Sequence, residues 1–382
     1  MNEEIKMQKE QNLVKVAWKF LKKETVFAIS LLLAVISAIF VPPSVEYIGY
    51  LDLRVLALLF CLMLIVAGIR QQGIFGLLGR SLMEKVKDTR QMEFVLVMLC
   101  FFSSMLITND VALITFVPFT IELLLAAGMP QKIIHTVVLQ TIAANLGSML
   151  TPVGNPQNLY LYSLAEMNIG EFLLLMLPLT TASFVLLAAV ILFAKKEPVR
   201  AQLKENAGVI DKGKLIGLII LFIICLGTVA RIVPWQASFL IVCIAGAIRY
   251  RDLFADVDYC LLGTFAGFFV FVGNMQNISF ISEMLQKLLQ GRELLVAIGA
   301  SQIISNVPAA MLLSGFTSDY KALLYGVDVG GLGTLIASLA SLISYKFYAN
   351  SKGAEKGRYL LVFTLFNLAF LLVLFPVAWW LM

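Results

Sequence analysis

Two short polar stretches interrupt long apolar runs in the first half of the chain. Residues 108–110 (Thr-Asn-Asp) break the apolar run 94–127, and residues 151–156 (Thr-Pro-Val-Gly-Asn-Pro) break the run 133–162. Non-helical backbone at membrane depth is tolerated only where protein buries it or a watery cavity wets it. Polar and ionisable side chains at that depth mark a binding site or an ion pathway. The two stretches therefore predict a transport site.

The composition is typical of a polytopic membrane protein. Of the 382 residues, 60% are hydrophobic and 14% are charged, whereas about a quarter of the residues in a soluble domain are charged. The net charge of +5 is spread between apolar runs, so we interpret it as loop charge that orients helices, and we expect no nucleic-acid partner. One histidine and five cysteines without CxxC spacing predict no metal site beyond possible Na⁺, and no other cofactor.

The apolar runs predict an all-α protein with about 11 spans, because a spanning helix needs roughly 20 apolar residues. The positions of Lys and Arg predict a cytoplasmic N-terminus and an outer C-terminus in the inner or plasma membrane. We find neither a phosphate loop nor a nucleophile–base pair, so we expect no enzyme. The predicted divisions are a cytoplasmic amphipathic N-terminus (1–24), a first repeat (25–194), a cytoplasmic linker (195–214), an extra helix (215–230) and a second repeat (231–382).

The second half of the chain repeats the polar breaks of the first. Residues 107–112 (ITNDVA) parallel residues 304–309 (ISNVPA). Residues 145–148 (NLGS) parallel residues 331–334 (GLGT), which places Thr151 opposite Ala337 and Asn155 opposite Ser341. Together with the charge bias, this predicts two repeats of inverted topology, each with a re-entrant helical hairpin and a broken helix. Secondary transporters are built in this way.

The chemistry predicted for these breaks is the binding of a small anion together with a coupling ion. A helix that begins at a break presents free N–H groups and a positive dipole end, which favour an anion. The alternative is that the polar residues only cap helices, and that the glycines only allow close packing. The substrate-binding candidates are Thr108, Asn109, Thr151, Pro152, Gly154, Asn155, Asn158, Ser305, Asn306, Ser338 and Ser341. The candidates for a coupling Na⁺ or H⁺ are Asp110, Asn109, Asn306 and Asp328.

Three segments resemble a known superfamily. TNDVALITFVP (108–118) resembles the hairpin motif of the arsenite permease and NhaD-type branch of the ion transporter superfamily, which also holds citrate permeases and divalent-anion:sodium symporters. LGTLIASLASLISY (332–345) is similar to the second broken helix of arsenite permeases. SNVP (305–308) lies where the symporters have a Ser-Asn-Thr tip. The resemblance implies inverted repeats, a homodimer, and a substrate domain that moves against a scaffold, as in an elevator.

These observations lead to one main functional hypothesis and two alternatives. The main hypothesis is a secondary active permease in the lipid bilayer for a small inorganic oxyanion or carboxylate, coupled to H⁺ or Na⁺. The first alternative is a Na⁺/H⁺ antiporter that uses Asp110 and Asp328. The second alternative is a membrane receptor or assembly protein that has the fold without transport.

Overall fold

The structure is a computed structural model that describes residues 24–83, 86–198 and 210–382. Nearly all of the predicted N-terminal amphipathic segment and the middle of the predicted linker lie outside the described residues. The helices of the first half are α1 (Thr25–Phe40), α2 (Glu46–Tyr50), α3 (Leu53–Gln71), α4 (Ile74–Met83), α5 (Thr89–Ile107), α6 (Asn109–Ala126), α7 (Ile133–Ser148), α8 (Pro156–Leu164) and α9 (Ile169–Leu192).

The helices of the second half follow a similar order. They are α10 (Lys212–Val229), α11 (Trp235–Arg249), α12 (Tyr259–Gln276), α13 (Ser279–Leu289), α14 (Glu293–Ile304), α15 (Asn306–Ser314), α16 (Tyr320–Gly330), α17 (Leu339–Ala349) and α18 (Lys356–Leu381). Aspartates cap several helix starts: Asp52, Asp258 and Asp319 each accept a backbone N–H three residues on. Capping of this kind satisfies a donor that has no partner within the helix.

Within the described ranges, seven helices are long and apolar enough to cross a membrane by length and composition. They are α3, α5, α6, α9, α10, α12 and α18, and shorter apolar helices are α1, α4, α11 and α14. The protein is therefore an all-α polytopic membrane protein, as predicted. The number of spans, their direction and the re-entrant character of the hairpins stay predictions, since both arms of the first hairpin are themselves long enough to span.

Both hairpin breaks are a single residue long. The first hairpin is α5 and α6, joined by Thr108 with φ 69°, and the second hairpin is α14 and α15, joined by Ser305 with φ 74°. Residues other than glycine rarely adopt a positive φ, and for β-branched threonine it is strained. One residue in this conformation lets the helix end and restart at once, which leaves a new helix N-terminus at Asn109 and at Asn306.

Two broken helices lie against these hairpins. The first broken helix is α7 and α8, separated by residues 149–155, and the second is α16 and α17, separated by residues 331–338. The later half of each packs on the hairpin of the other repeat: α8 contacts α15, and α17 contacts α6. The Tyr160 hydroxyl on α8 hydrogen-bonds Ser314 Oγ on α15 at 2.8 Å. The predicted breaks are thus assembled into one centre.

Candidate functional site

The two hairpin tips are bound to the two breaks by matching backbone hydrogen bonds. The Asn109 N–H donates to the Gly154 carbonyl at 3.0 Å, and the Asn306 N–H donates to the Ala337 carbonyl at 2.9 Å. In each tip the Asn side-chain oxygen accepts the next backbone N–H, at 2.9 Å from Asp110 and 3.0 Å from Val307. Each asparagine oxygen therefore satisfies one backbone donor in the first turn of its helix, and the amide nitrogens remain for other contacts.

A second pair of hydrogen bonds is also equivalent in the two halves of the chain. The Thr151 hydroxyl donates to the Met105 carbonyl, and the Thr334 hydroxyl donates to the Gln302 carbonyl at 3.1 Å. Met105 and Gln302 each lie three residues before the positive-φ residue of their hairpin. The correspondence between the halves therefore extends to individual hydrogen bonds, which supports the predicted internal repeat.

These contacts correct the predicted register of the broken helices. The sequence alignment placed Thr151 opposite Ala337 and Asn155 opposite Ser341. The backbone bonds instead pair Gly154 with Ala337, which moves the alignment by three residues and pairs Asn155 with Ser338. The prediction was wrong because it aligned the glycines of the two halves, whereas contact with the hairpin tip decides equivalence. Asn158 and Ser341 are equivalent in the corrected register.

Four helix N-termini surround one narrow cavity. They belong to α6 and α15 at the hairpin tips and to α8 and α17 at the breaks, and Asn155 caps α8 by accepting the Asn158 N–H at 2.8 Å. None of the described residues that line the cavity is Lys or Arg. Those residues are Asn109, Asp110, Pro156, Gln157, Leu261, Asn306, Val307, Ser338 and Leu339. Converging helix N-termini without a lysine or arginine are suited to an anion held by backbone dipoles.

Asn145, which the sequence analysis used for the repeat but did not name as a site residue, links the first hairpin tip to the second break. Its Oδ1 accepts from Asn109 Nδ2 and from Ser338 Oγ, both at 3.1 Å, and its Nδ2 lies 3.5 Å from the Gly331 carbonyl. Gln157 and Gln302 were also missed: Gln157 lines the cavity, and Gln302 donates to the Gly330 and Leu332 carbonyls. All three are amides in apolar helices, which is the signal that would have found them.

Asp110 lies where the narrow cavity meets two wider ones. It is partly exposed and lines all three cavities, and Asp258 lines both of the wider ones. Arg70 and Asp256 line the first wider cavity, and Lys346 lines the second. The predicted site is therefore reached from the side of the protein that carries these charged residues.

Asp328 lies away from that cavity, between the two broken helices. It is 2% exposed, and its Oδ1 accepts from Asn155 Nδ2 at 3.2 Å and from Gln157 Nε2 at 3.3 Å. Its Oδ2 has no hydrogen-bond partner among the described residues. A buried carboxylate with an unsatisfied oxygen is an unusual feature.

The structure brings together only part of the predicted site. Asn109, Asp110, Asn306 and Ser338 share the narrow cavity, while Thr108 and Asn155 line a wider one. Ser305 is buried and donates to the Ala337 carbonyl at 3.4 Å. Among the lining residues of these cavities there is no Thr151, Pro152, Gly154, Asn158 or Ser341, and these five lie in or beside the breaks.

Residues 13–320, most of the chain, match the family described as citrate transporter. The chain belongs to the citrate transporter family. It is 32% identical to an uncharacterized transporter of Methanocaldococcus jannaschii over 84% of this chain and 87% of that protein. It is 30% identical to the inner membrane protein YbiR of Escherichia coli K12 over 85% of this chain and 88% of that protein.

A shorter match links the chain to a plant protein. The silicon efflux transporter LSI3 of Oryza sativa is 32% identical over 34% of this chain and 26% of that protein. Membership of the citrate transporter family confirms the resemblance to ion transporter superfamily permeases, and the protein is a multi-pass membrane transporter.

Proposed function

We propose that this member of the citrate transporter family is a secondary active transporter of a small anion, an inorganic oxyanion or a carboxylate. The observation that carries the proposal is the convergence of four helix N-termini on one cavity without Lys or Arg among its described lining. Each terminus contributes a partial positive charge and N–H donors. Several such ends together replace the basic side chains that an anion would otherwise need.

The predicted substrate residues divide into two roles. Asn109, Asn306 and Ser338 face the cavity and would contact the anion together with Gln157. Thr151, Pro152, Gly154 and Asn155 hold the first break open, and Thr108 and Ser305 allow the hairpins to turn. Asn158 and Ser341 lie in the first turn of helices α8 and α17, outside the cavity lining, and would support the residues that contact the substrate. Asn145, which bonds both Asn109 and Ser338, would position the cavity wall.

We place the coupling ion at Asp110. Its carboxylate lines the anion cavity in the first turn of α6, so an anion and an ionised Asp110 would repel each other. A proton or Na⁺ at Asp110 removes that repulsion and links the two fluxes. The alternative, a Na⁺/H⁺ antiporter, is favoured by the same carboxylate and by Asp258, which lines both wider cavities with it.

We assign the open side of the site to the cytoplasm. The wider cavities carry Arg70 and Lys346, and loops rich in Lys and Arg face the cytoplasm. The structure then represents an inward-facing state, with the N-terminus inside, the C-terminus outside, and repeats at 25–194 and 231–382 around the extra helix 215–230. The hairpins and broken helices would move as an elevator in a homodimer, in the cell membrane.

The names of the relatives limit the choice of test substrates. The family is described as citrate transporter, and one relative that matches part of the chain is named as a silicon efflux transporter. We therefore include a carboxylate and an inorganic solute among the probes. Purified protein in proteoliposomes should accumulate at least one of labelled citrate, phosphate, arsenite or silicate under an imposed H⁺ or Na⁺ gradient.

Point variants connect the flux to the cavity. Asn109→Ala and Asn306→Ala should abolish anion flux, since each removes a cavity donor and the acceptor of a first-turn backbone N–H. Asn367→Ala is the matched control, because Asn367 is also a buried amide and, among the described residues, its hydrogen bond goes to the Phe363 carbonyl in α18. Absence of anion flux under every gradient, combined with Na⁺-dependent proton movement that Asp110→Asn abolishes, would replace the proposal with the antiporter.

A further inference from the structure

The corrected register makes Asp328 the counterpart of Asn145. Asn145 lies nine residues before Gly154, and Asp328 lies nine residues before Ala337, while Gly154 and Ala337 accept the equivalent hydrogen bonds from the hairpin tips. One repeat thus carries an amide and the other a carboxyl group at the same position. The two side chains have nearly the same size and shape, but only the carboxyl group can gain or lose a proton.

The contacts of the two residues correspond across the repeats. The N-cap residue of α17, Ser338, donates to Asn145 Oδ1 at 3.1 Å. The N-cap residue of α8, Asn155, donates to Asp328 Oδ1 at 3.2 Å. Each broken helix therefore starts against a side chain of the other repeat. The pair of bonds fixes how the two broken helices are arranged relative to each other.

The two positions differ at their second polar atom. Asn145 Nδ2 faces the Gly331 carbonyl, whereas Asp328 Oδ2 has no partner among the described residues. The fully buried Asn158 side chain also lies beside Asp328, with its amide group acting as a donor to the carboxyl group. Three amides therefore surround Asp328, and its Oδ2 is still left without a partner within the described chain. A proton on Oδ2 would make the carboxyl group resemble the amide of Asn145.

We propose that Asp328 binds a proton on Oδ2 in this state and carries a coupling proton of the transport cycle, in addition to the ion placed at Asp110. An O–H bond forms when the proton arrives from the open side and breaks when the proton leaves on the other side, with no change of oxidation state. The proposal rests on the proposed transport function and names H⁺ as the coupling ion at this position. A neutral Asp328 allows the broken helices to remain packed against each other, and an ionised one does not.

A sodium ion fits this position less well than a proton. Asp328 Oδ1 faces the N–H groups of Asn155 and Gln157, and these donors repel a cation. Hard cations require several oxygen ligands, whereas the unpartnered oxygens here are Asp328 Oδ2 and Asn158 Oδ1. The amide donors that disfavour a cation accept a neutral carboxyl group without cost.

No charged side chain faces Asp328 from the helices packed against it. The groups that act on it are the three amides of Asn155, Gln157 and Asn158. Helix α16 packs against α7, α8, α14, α15 and α18. The ionisable residues of these helices are His135, Tyr160, Tyr162, Glu293, Lys356, Arg358 and Tyr359, with Tyr320, Lys321 and Tyr325 on α16 itself.

Each of these residues is accounted for elsewhere or lies at a helix start. His135 pairs with Glu93 near the start of α7, and Glu293 begins α14. Tyr160 and Tyr325 bond Ser314 and the Leu175 carbonyl. Lys356, Arg358 and Tyr359 form the first turn of α18, Tyr320 and Lys321 begin α16, and Tyr162 bonds the Val229 carbonyl. None of these residues acts as a counter-ion for Asp328, so its carboxyl group is neutral only when it is itself protonated.

The test compares Asp328→Asn with Asp319→Asn. Asp319 also lies beside α16, but it caps the start of the helix at the surface. Infrared difference spectra during alkaline titration of the purified transporter should show loss of a protonated carboxyl band. The band should be absent in Asp328→Asn, retained in Asp319→Asn, and shifted in Gln157→Ala, which removes a donor to Oδ1.

Flux measurements with labelled citrate complete the test. Asp328→Asn should retain citrate counterflow and lose citrate accumulation driven by a proton gradient, while Asp319→Asn retains both.

A wild-type protein without the band, or with a Na⁺-dependent thermal stabilisation that Asp328→Asn removes, would overturn the proton site. If wild-type protein moves no anion while the band behaves as expected, the proposed function fails and the proton site stands. If Asp328→Asn does not fold, an unshifted band in Gln157→Ala would refute the site.

Discussion

Substitution of Gly154 by alanine should disturb the first break without removing any side chain that lines the narrow cavity. A Cβ at Gly154 would collide with the carbonyl group of Ser148, which is backbone and cannot rotate away. Forced overpacking costs about 1–3 kcal/mol. A shift of the Gly154 carbonyl also weakens its hydrogen bond from the Asn109 N–H, and an unsatisfied buried donor costs about 1–3 kcal/mol. We therefore expect a loss of about 2–6 kcal/mol in the free energy of unfolding.

The matched control is Gly299→Ala on α14. Gly299 is an exposed helical residue, and no described atom lies within 4 Å of the position its Cβ would take. Alanine in an exposed helix interior gains roughly 1 kcal/mol over glycine, so this variant should be neutral or more stable. Reversible unfolding in mixed detergent micelles measures both. If Gly154→Ala is as stable as Gly299→Ala, the link between the hairpin tip and the break is refuted.

Three further substitutions test single contacts. Gln302→Leu should lower the free energy of unfolding by about 1–3 kcal/mol, because it leaves the carbonyls of the second break without their donor; unchanged detergent unfolding would contradict this. Tyr160→Phe should cost about 1 kcal/mol by removing the hydroxyl bond that joins the two repeats, measured against the neighbouring Tyr162→Phe. The backbone N–H of Gln91, and then Lys196, lower the pKa of Asp88 at the start of α5, so its ionised form contributes stability that is lost as acid protonates it. Asp88→Asn should therefore lose less stability than wild type on acidification, as followed by circular dichroism, and equal acid sensitivity would contradict the assignment.

The breaks of the fold could be predicted from the sequence because their residues are poor formers of membrane helices. Proline at 152 and 156 and the Asn-Asp pair at 109–110 have no reason to lie in an apolar helix, and the structure ends or begins helices at these positions. The second break has a weaker sequence signal, since it contains Ser338 and small residues but no proline or asparagine. Its break was located through similarity to the first, and the register was consequently three residues wrong.

The amide network of the site could not be predicted from spacing. The hydrogen bond between Asn145 and Ser338 joins residues that are 193 positions apart in the sequence, and the one between Asn155 and Asp328 joins residues 173 positions apart. Such contacts arise because each repeat packs its broken helix on the hairpin of the other, an arrangement that local periodicity does not contain. The sequence marked Asp328 as a deep carboxylate, and only the corrected register identified it as the counterpart of an amide.

The central claim is that an anion is held among the four helix N-termini at the hairpin tips. The most direct measurement is a cryo-EM map of the protein in nanodiscs, recorded with the anion that drives uptake and again without it. We predict added density between Asn109, Asn306 and Ser338, and loss of that density in Asn306→Ala. Density beside Arg70 or Lys346 with nothing at the tips would contradict the account.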